Sequence, residues 1–247
     1  MRDRPRPVVA IVGVTSAIGR ELAGILAARG NDLLLFARHR KEAVHIARDI
    51  EVRYRTKVIA KKLDVLRFDD DELRTALREM TGLEGVVICT GYLGDSERAV
   101  HDETEAALIL DTNFTGPAKV ADIAGKVLSR TGGYLCVLSS VAGDRPRRRV
   151  HAYGVAKQKL NSHMKELRGT LKAHKVRVIT IKLGPVDTPM TYGRRPQRFT
   201  ISAQSAARGI ATAIQRNAGP VYVPARWGVI MRVIALIPAP IYRKMDL

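Results

Sequence analysis

Residues 8–19, VVAIVGVTSAIG, decide the fold. The apolar run Val8–Val12 is β-branched and too short for a helix, and it lacks the alternation of a half-exposed strand, so it reads as a strand buried on both faces. Directly after it, Ile18, Leu22, Ile25 and Leu26 recur at helical spacing until Gly30 stops the helix. Gly13 suits the sharp bend between the two elements, and Gly19 lets the helix approach the sheet. The helix N-terminus, Thr15, Ser16, Ala17 and Ile18, offers free N–H groups and a positive dipole end suited to a pyrophosphate. An ordinary strand-to-helix turn is the competing reading, since a glycine pattern of this length is common.

Working outward, further apolar β-rich runs occur at Leu33–Phe36, Val58–Leu63, Gly85–Cys89, Tyr134–Leu138, Val176–Ile181 and Val221–Val223. Amphipathic stretches separate them; Leu160, Met164, Leu167 and Leu171 are one example. The alternation predicts an α/β doubly wound parallel sheet, a Rossmann fold, in a single domain spanning residues 1–224. Residues 225–247 form an apolar and basic C-terminal amphipathic extension. The stretch from Thr188 to Ile201 is polar and interrupted by Pro and Gly, as either a loop over a site or a plain surface connection would be.

Two further positions bear on a bound dinucleotide. The second strand ends Phe36-Ala37-Arg38 with no carboxylate for a ribose 2′-hydroxyl, and a guanidinium suits a 2′-phosphate, so NADP(H) is expected to be preferred over NAD(H). Asp64, at the end of the third strand, is expected beside the adenine. Tyr153 and Lys157 stand four apart at the start of a predicted helix and share a face. A nearby ammonium favours an ionised phenol, so Lys157 is expected to make Tyr153 a better acid. Ser140, at the end of the fifth strand, is placed to hold a carbonyl oxygen. A Tyr-x-x-x-Lys pair alone is weak; the serine upstream and the dinucleotide turn strengthen it.

These ordered motifs resemble those of the short-chain dehydrogenase/reductase family over nearly the whole chain. The resemblance implies a ketone-to-alcohol oxidoreductase that needs no metal, with Ser140, Tyr153 and Lys157 at the reacting centre. It likens Asn113 to the family's proton-relaying asparagine and Asp64-Val65 to its Asp-Val pair. Gly91, Val186 and Thr188 correspond to cofactor-contacting positions. Departures are Ala17 for the middle glycine of the turn, Ile88-Cys89-Thr90 for a segment that carries asparagines, and Leu183 for a proline. A narrower resemblance, carried by GDRPRRRVHAYGVAK, GPVDTPM and the tail, is to bacterial decaprenylphosphoryl-2-keto-pentose reductase-like enzymes, which implies a lipid-linked keto-sugar. A 3-ketoacyl or 3-ketosphinganine-type lipid is the alternative substrate. A nucleotide-sensing regulatory protein on the same fold is the alternative of another class, though such proteins commonly lose the tyrosine or lysine.

The net charge of +18 admits nucleic acid, an anionic membrane surface or a phosphate-bearing small molecule as partner. Basic residues are scattered and no zinc-finger or RRM spacing occurs, so nucleic acid is not expected. The opening MRDRPRP lacks an apolar signal core, and Cys89 and Cys136 lie in apolar runs, so a cytoplasmic protein with reduced thiols is expected. Trp227, Val229, Ile230, Met231, Val233, Ile234, Leu236 and Ile237 fall short of the ~20 residues that span a bilayer. They suit either packing, including in a homo-oligomer, or a peripheral place on the inner membrane face, with Trp227 at the acyl boundary. Arg194, Arg195 and Arg198 are candidates for a substrate phosphate.

Overall fold

The computed structural model describes residues 6–192, 199–216, 219–238 and 242. In its first half Val8–Val12 (β1), Ala17–Ala28 (α1), Asp32–Ala37 (β2), Arg40–Tyr54 (α2), Val58–Lys62 (β3), Asp70–Arg78 (α3) and Leu83–Ile88 (β4) alternate strictly. Two helices, Glu103–Leu110 (α4) and Gly116–Leu128 (α5), follow before Gly133–Ser140 (β5), His151–Leu171 (α6) and Val176–Leu183 (β6). The chain then forms Val186–Asp187 (β7), Ile201–Ser202 (β8), Ala203–Gln215 (α7), Pro220–Val223 (β9) and Arg226–Leu236 (α8). Seven strands make one parallel sheet in the order β3-β2-β1-β4-β5-β6-β9.

Both faces of this sheet are covered, which is why its strands read as continuous apolar runs. Val9 and Ile11 point to a core filled by Leu22 and Leu26 of α1, Ile46 and Ile50 of α2, and Ile210 and Ile214 of α7. Val8, Ala10 and Val12 point the other way, onto Leu73 and Leu77 of α3, Val120 and Leu128 of α5, and Leu160 and Met164 of α6. The period of two along β1 thus divides a single chain segment between two cores. The strand order reverses beside β1, since β2 lies on one side and β4 on the other. That reversal opens a crevice at the carboxyl ends of the strands, where ligands of such sheets bind.

Three features were not legible in the sequence. A two-residue parallel ladder, β7 with β8, closes the base of the loop between Thr188 and Ile201. A wide π-helical turn, Asp111–Thr115, joins α4 to α5. The C-terminal segment is divided in its surroundings: Trp227 and Met231 of α8 are buried against Val141, while Val229, Val233 and Leu236 are 62%, 60% and 83% exposed. Trp227 therefore does not face outward as the membrane-bound reading of it required. No helix among the described residues is long and apolar enough to cross a membrane.

One close contact inside the sheet is exacting. Gly85 pairs with Tyr134 on β5, and a Cβ on Gly85 would lie 2.2 Å from the buried Tyr134 ring. Gly85→Ala should therefore lower stability by about 1–3 kcal/mol through overpacking. Trimming the ring as well, in Gly85→Ala with Tyr134→Val, should cost less than the two single changes added together; denaturant unfolding of the three variants checks both statements.

Candidate active site

The carboxyl ends of β1, β2, β4, β5 and β6 open on one cavity of about 1110 Å³. At one end is the turn after β1. Gly13 has φ +83°, and a Cβ there would lie 3.0 Å from the Thr90 side chain and 3.2 Å from the main chain of Cys89, so only glycine fits. The Ser16 hydroxyl donates to the Gly13 carbonyl at 2.9 Å and accepts from the Gly19 N–H at 3.0 Å, which caps α1 and closes the turn. Thr15, Ser16, Ala17 and Ile18 line the cavity with Gly13. Gly19 does not. It stands behind the turn, where a Cβ would sit 2.7 Å from the Gly13 carbonyl oxygen, so its part is to let the turn close rather than to touch a ligand.

Arg38 is exposed at the end of β2 and lines the same wall as Asp64 and Val65, with Glu42 beside it. The Asp64 carboxylate accepts from the Leu66 N–H at 3.1 Å, which shapes the bend after β3. Gly91 lines the cavity after β4; the adjacent Thr90 has a buried hydroxyl with no partner among the described residues. The cradle at Gly13, the capped start of α1 and this orphaned hydroxyl together fit a phosphate-linked dinucleotide.

At the other end are Ser140, Tyr153 and Lys157, all lining the cavity. Two glycines bring them together. The loop from β5 lies flat on α6, because Cβ atoms on Gly143 and Gly154 would meet Lys157 main chain at 2.8 Å and the Ala142 carbonyl at 3.0 Å. Below, the Ser139 hydroxyl donates to Asn161 Oδ1 at 2.6 Å, tying strand to helix a second time. Ser140 Oγ accepts from the Ala142 N–H at 3.1 Å. None of Gly143, Gly154 or Asn161 was singled out from the sequence, although two glycines bracketing the loop were a signal of close approach.

Ionisation differs from the expectation for Tyr153. Burial pushes its phenol up to about 12, with the Ser140 hydroxyl pulling the other way. Lys157 does not lower it here. The buried ammonium instead donates to the Leu138 carbonyl at 3.1 Å, lies 5.8 Å from the centre of the tyrosine ring, and is itself pushed down to about 8 by desolvation. In a dry site the cost of the charged form outweighs the mutual attraction at this separation.

Asn113 lies behind the cavity wall, its Oδ1 3.4 Å from where a Cβ on Gly91 would be. Its side chain is fully buried in the wide turn and is absent from the cavity wall. Its Nδ2 donates to the carbonyls of Tyr92 at 2.5 Å and Ile109 at 2.8 Å, and its Oδ1 accepts from the Tyr92 N–H at 3.2 Å. It clamps the segment after β4. Val186 and Thr188 do line the cavity, held by the Thr191 hydroxyl, which donates to the Val186 carbonyl at 2.9 Å. Gly184, just before them, is where α8 meets the site: a Cβ on it would lie 2.1 Å from Trp227 Nε1. Arg145 reaches the far end of the same helix, donating to the carbonyls of Ile234 and Ile237. Arg194, Arg195 and Arg198 lie outside the described residues.

Comparison with known proteins agrees with this arrangement. The family model described as short chain dehydrogenase matches residues 7–198. An uncharacterized oxidoreductase of Streptomyces coelicolor is 29% identical over 245 residues, covering 98% of this chain and 96% of that protein. One of Mycobacterium tuberculosis is 28% identical over 248 residues, with 99% of each covered. Among solved structures, a short-chain dehydrogenase from Sphingobium yanoikuyae in complex with NADPH superposes with a TM-score of 0.81 at 21% identity, covering 94% of this chain and 97% of that one. One from Burkholderia cenocepacia in complex with NADP gives 0.83 at 19% identity, with 98% of each chain covered. A seven-stranded parallel sheet with a glycine turn, a serine, a tyrosine and a lysine around one crevice, matched by the family model over most of its length, places this chain in the short-chain dehydrogenase family, as an oxidoreductase.

Proposed function

We propose that this chain interconverts a ketone and a secondary alcohol with NADP(H). The observation that carries the reading is the meeting of Ser140, Tyr153 and Lys157 with the Gly13–Ile18 turn around one cavity. The cofactor would be held by Gly13, Thr15, Ser16, Ala17 and Ile18 at its phosphates, Arg38 at a 2′-phosphate, and Asp64, Val65 and Gly91 along the adenosine half. Val186, Thr188 and Lys157 would hold the nicotinamide half. Bound NADPH supplies a hydride to the carbonyl carbon.

Tyr153 gives the developing alkoxide its proton. A phenol held at about 12 keeps that proton at neutral pH, as an acid should. Ser140 donates a hydrogen bond to the same oxygen and stabilises the charge that grows on it. Lys157, pushed down to about 8, is still largely protonated at pH 7 and supplies a buried positive charge at this end of the cavity. Asn113, read from the family resemblance as a proton-relaying residue, would act on the reaction through the Tyr92 segment it clamps.

For the substrate, a lipid-linked keto-sugar is the finer reading, and a 3-ketoacyl or 3-ketosphinganine-type lipid the alternative. Support comes from Tyr92, Met190 and Tyr192, which line the cavity and are 37%, 42% and 92% exposed. The outward row Val229, Val233 and Leu236 on α8 is apolar and exposed, and suits a peripheral place at an anionic membrane.

Turnover should follow Tyr153. Tyr153→Phe keeps the ring but removes the proton, so ketone-dependent NADPH oxidation should fall by about two or more orders of magnitude with NADPH affinity retained; near-native turnover would sink the proposal. A screen of keto-sugars, keto-lipids and small ketones, with and without detergent, supplies the substrate for that measurement.

Cofactor preference should follow Arg38. NADPH should bind more tightly than NADH, and Arg38→Ala should narrow the gap by about 1.5–3 kcal/mol, the worth of a charge-assisted hydrogen bond. Titration of both cofactors decides it, equal affinities in the wild type being the contrary result.

Membrane association should follow the outward face of α8. The chain should cosediment with anionic but not neutral vesicles, and Val229→Ser, Val233→Ser and Leu236→Ser together should abolish this while Trp227 keeps its contacts. Cosedimentation that survives the triple change, or a triple variant that instead dissociates from a homo-oligomer on size exclusion, would transfer this face to another use.

A further inference from the structure

The cations lining the cavity are Arg38, Arg147 and Lys157 among the described residues, and one of them has no assigned work. Arg38 stands at the end of β2 and Lys157 beside Tyr153. Arg147 belongs to the segment between Ser140 and Tyr153, on the β5 side of the sheet. Arg38 thus follows a strand three places in the sheet from the one that precedes the Arg147 segment. A 2′-phosphate seated on Arg38 leaves Arg147 for something else.

Arg147 is half-buried, yet its guanidinium makes no hydrogen bond or ion pair with any described residue. Its neighbours in the chain behave differently. Asp144 takes the Lys182 ammonium and the Tyr222 hydroxyl, the latter at 2.7 Å, and Arg145 is spent on the Ile234 and Ile237 carbonyls and on the Tyr242 ring, 3.8 Å away. These contacts fix the segment to β6, β9 and α8. The acidic residues on the cavity wall are Glu42 and Asp64, both at the Arg38 end, and the exposed Asp187, which forms no ion pair with Arg147. Val141, Ala142 and Val150 of the same segment line the cavity with it, and its charge acts on the Tyr242 phenol, whose hydroxyl donates to the Arg145 carbonyl at 3.1 Å. A fork of five donors that lines the cavity and takes no acceptor from the described residues is complementary to a phosphate or carboxylate.

We infer that Arg147 is the specificity-determining residue for an anionic substrate: a ketone or alcohol with an apolar body and a phosphate or carboxylate group that the guanidinium receives. This deepens the proposed ketone–alcohol reaction and rests on the cavity being its site. It places the anion on the Ser140–Tyr153 loop, so that binding the charged group and positioning the oxygen beside Tyr153 are done by one segment.

Octyl phosphate and 1-octanol are probes that separate the charge from the apolar body. Titrated by calorimetry into the chain saturated with NADP⁺, octyl phosphate should bind at least tenfold more tightly than octanol. Arg147→Met should abolish that difference, and Arg147→Lys should restore part of it. Arg78→Gln removes the same unit charge from an exposed site on α3 and should leave the difference intact, with NADP⁺ affinity unchanged in all three variants. Equal binding of the two probes, an unchanged difference in Arg147→Met, an equal loss in Arg78→Gln, or a parallel loss of NADP⁺ affinity in Arg147→Met would each overturn the inference. In kinetics, kcat/KM for a carboxylate-bearing ketone should fall at least tenfold in Arg147→Met, while that for its neutral methyl ester stays. If no ketone turns over but the probe difference follows Arg147, the anion site stands and the reductase reading fails; the same titration without NADP⁺ serves a chain that does not bind the cofactor.

Discussion

A strand covered on both faces has no flank on which to display polar chemistry. Its side chains alternate between two apolar cores, and its main chain is consumed by the ladders on either side. Only the strand end is left, and in a parallel sheet all the carboxyl ends lie along one edge. Much of the site in this molecule obeys that restriction. Gly13, Arg38, Thr90 and Gly184 each follow a strand within two residues and Ser140 ends one, although they are spread over more than two-thirds of the chain. The reversal of strand order beside β1 then parts the connections and turns an edge into a crevice.

What was legible in the sequence follows from the range of the interactions that produce it. Periodicity is local, so β1 and α1 could be read to within a residue or two, as could Ser140 at a strand end and Tyr153 and Lys157 on one helical face. Contacts between distant segments were not. Nothing near Asn113 reveals that its amide would be used up on Tyr92, 21 positions earlier. The same holds for Lys157, whose bond to the Leu138 carbonyl is a property of how α6 lies on β5. Gly19 was read as letting the helix approach the sheet, and the contact that demands it is with the Gly13 carbonyl oxygen in the turn.

The energetics of the reacting end also depend on this packing. Gly143 and Gly154 let the loop after β5 pack closely on α6 beside Tyr153 and Lys157, and burial there raises one proton affinity while lowering the other. Both shifts penalise the charged form. A phenol and an ammonium placed on an open surface would titrate near their ordinary, almost equal values; enclosed, they are driven apart on the pH scale to about 12 and about 8, so a phenolate left after proton donation is a much stronger base than the lysine amine beside it.

Trp227 is the sole tryptophan of the chain. It lies buried on the backbone of Gly184, at the threshold of the segment that carries Val186 and Thr188, and its indole N–H has no partner among the described residues. Indole emission is sensitive to the polarity and hydrogen bonding of its surroundings, and it overlaps the absorption of reduced nicotinamides. The molecule thus carries its own optical probe at the cavity wall. Movements of that wall, and the arrival of a chromophore beside it, register in the emission of a single indole, which excitation beyond the tyrosine absorption band isolates.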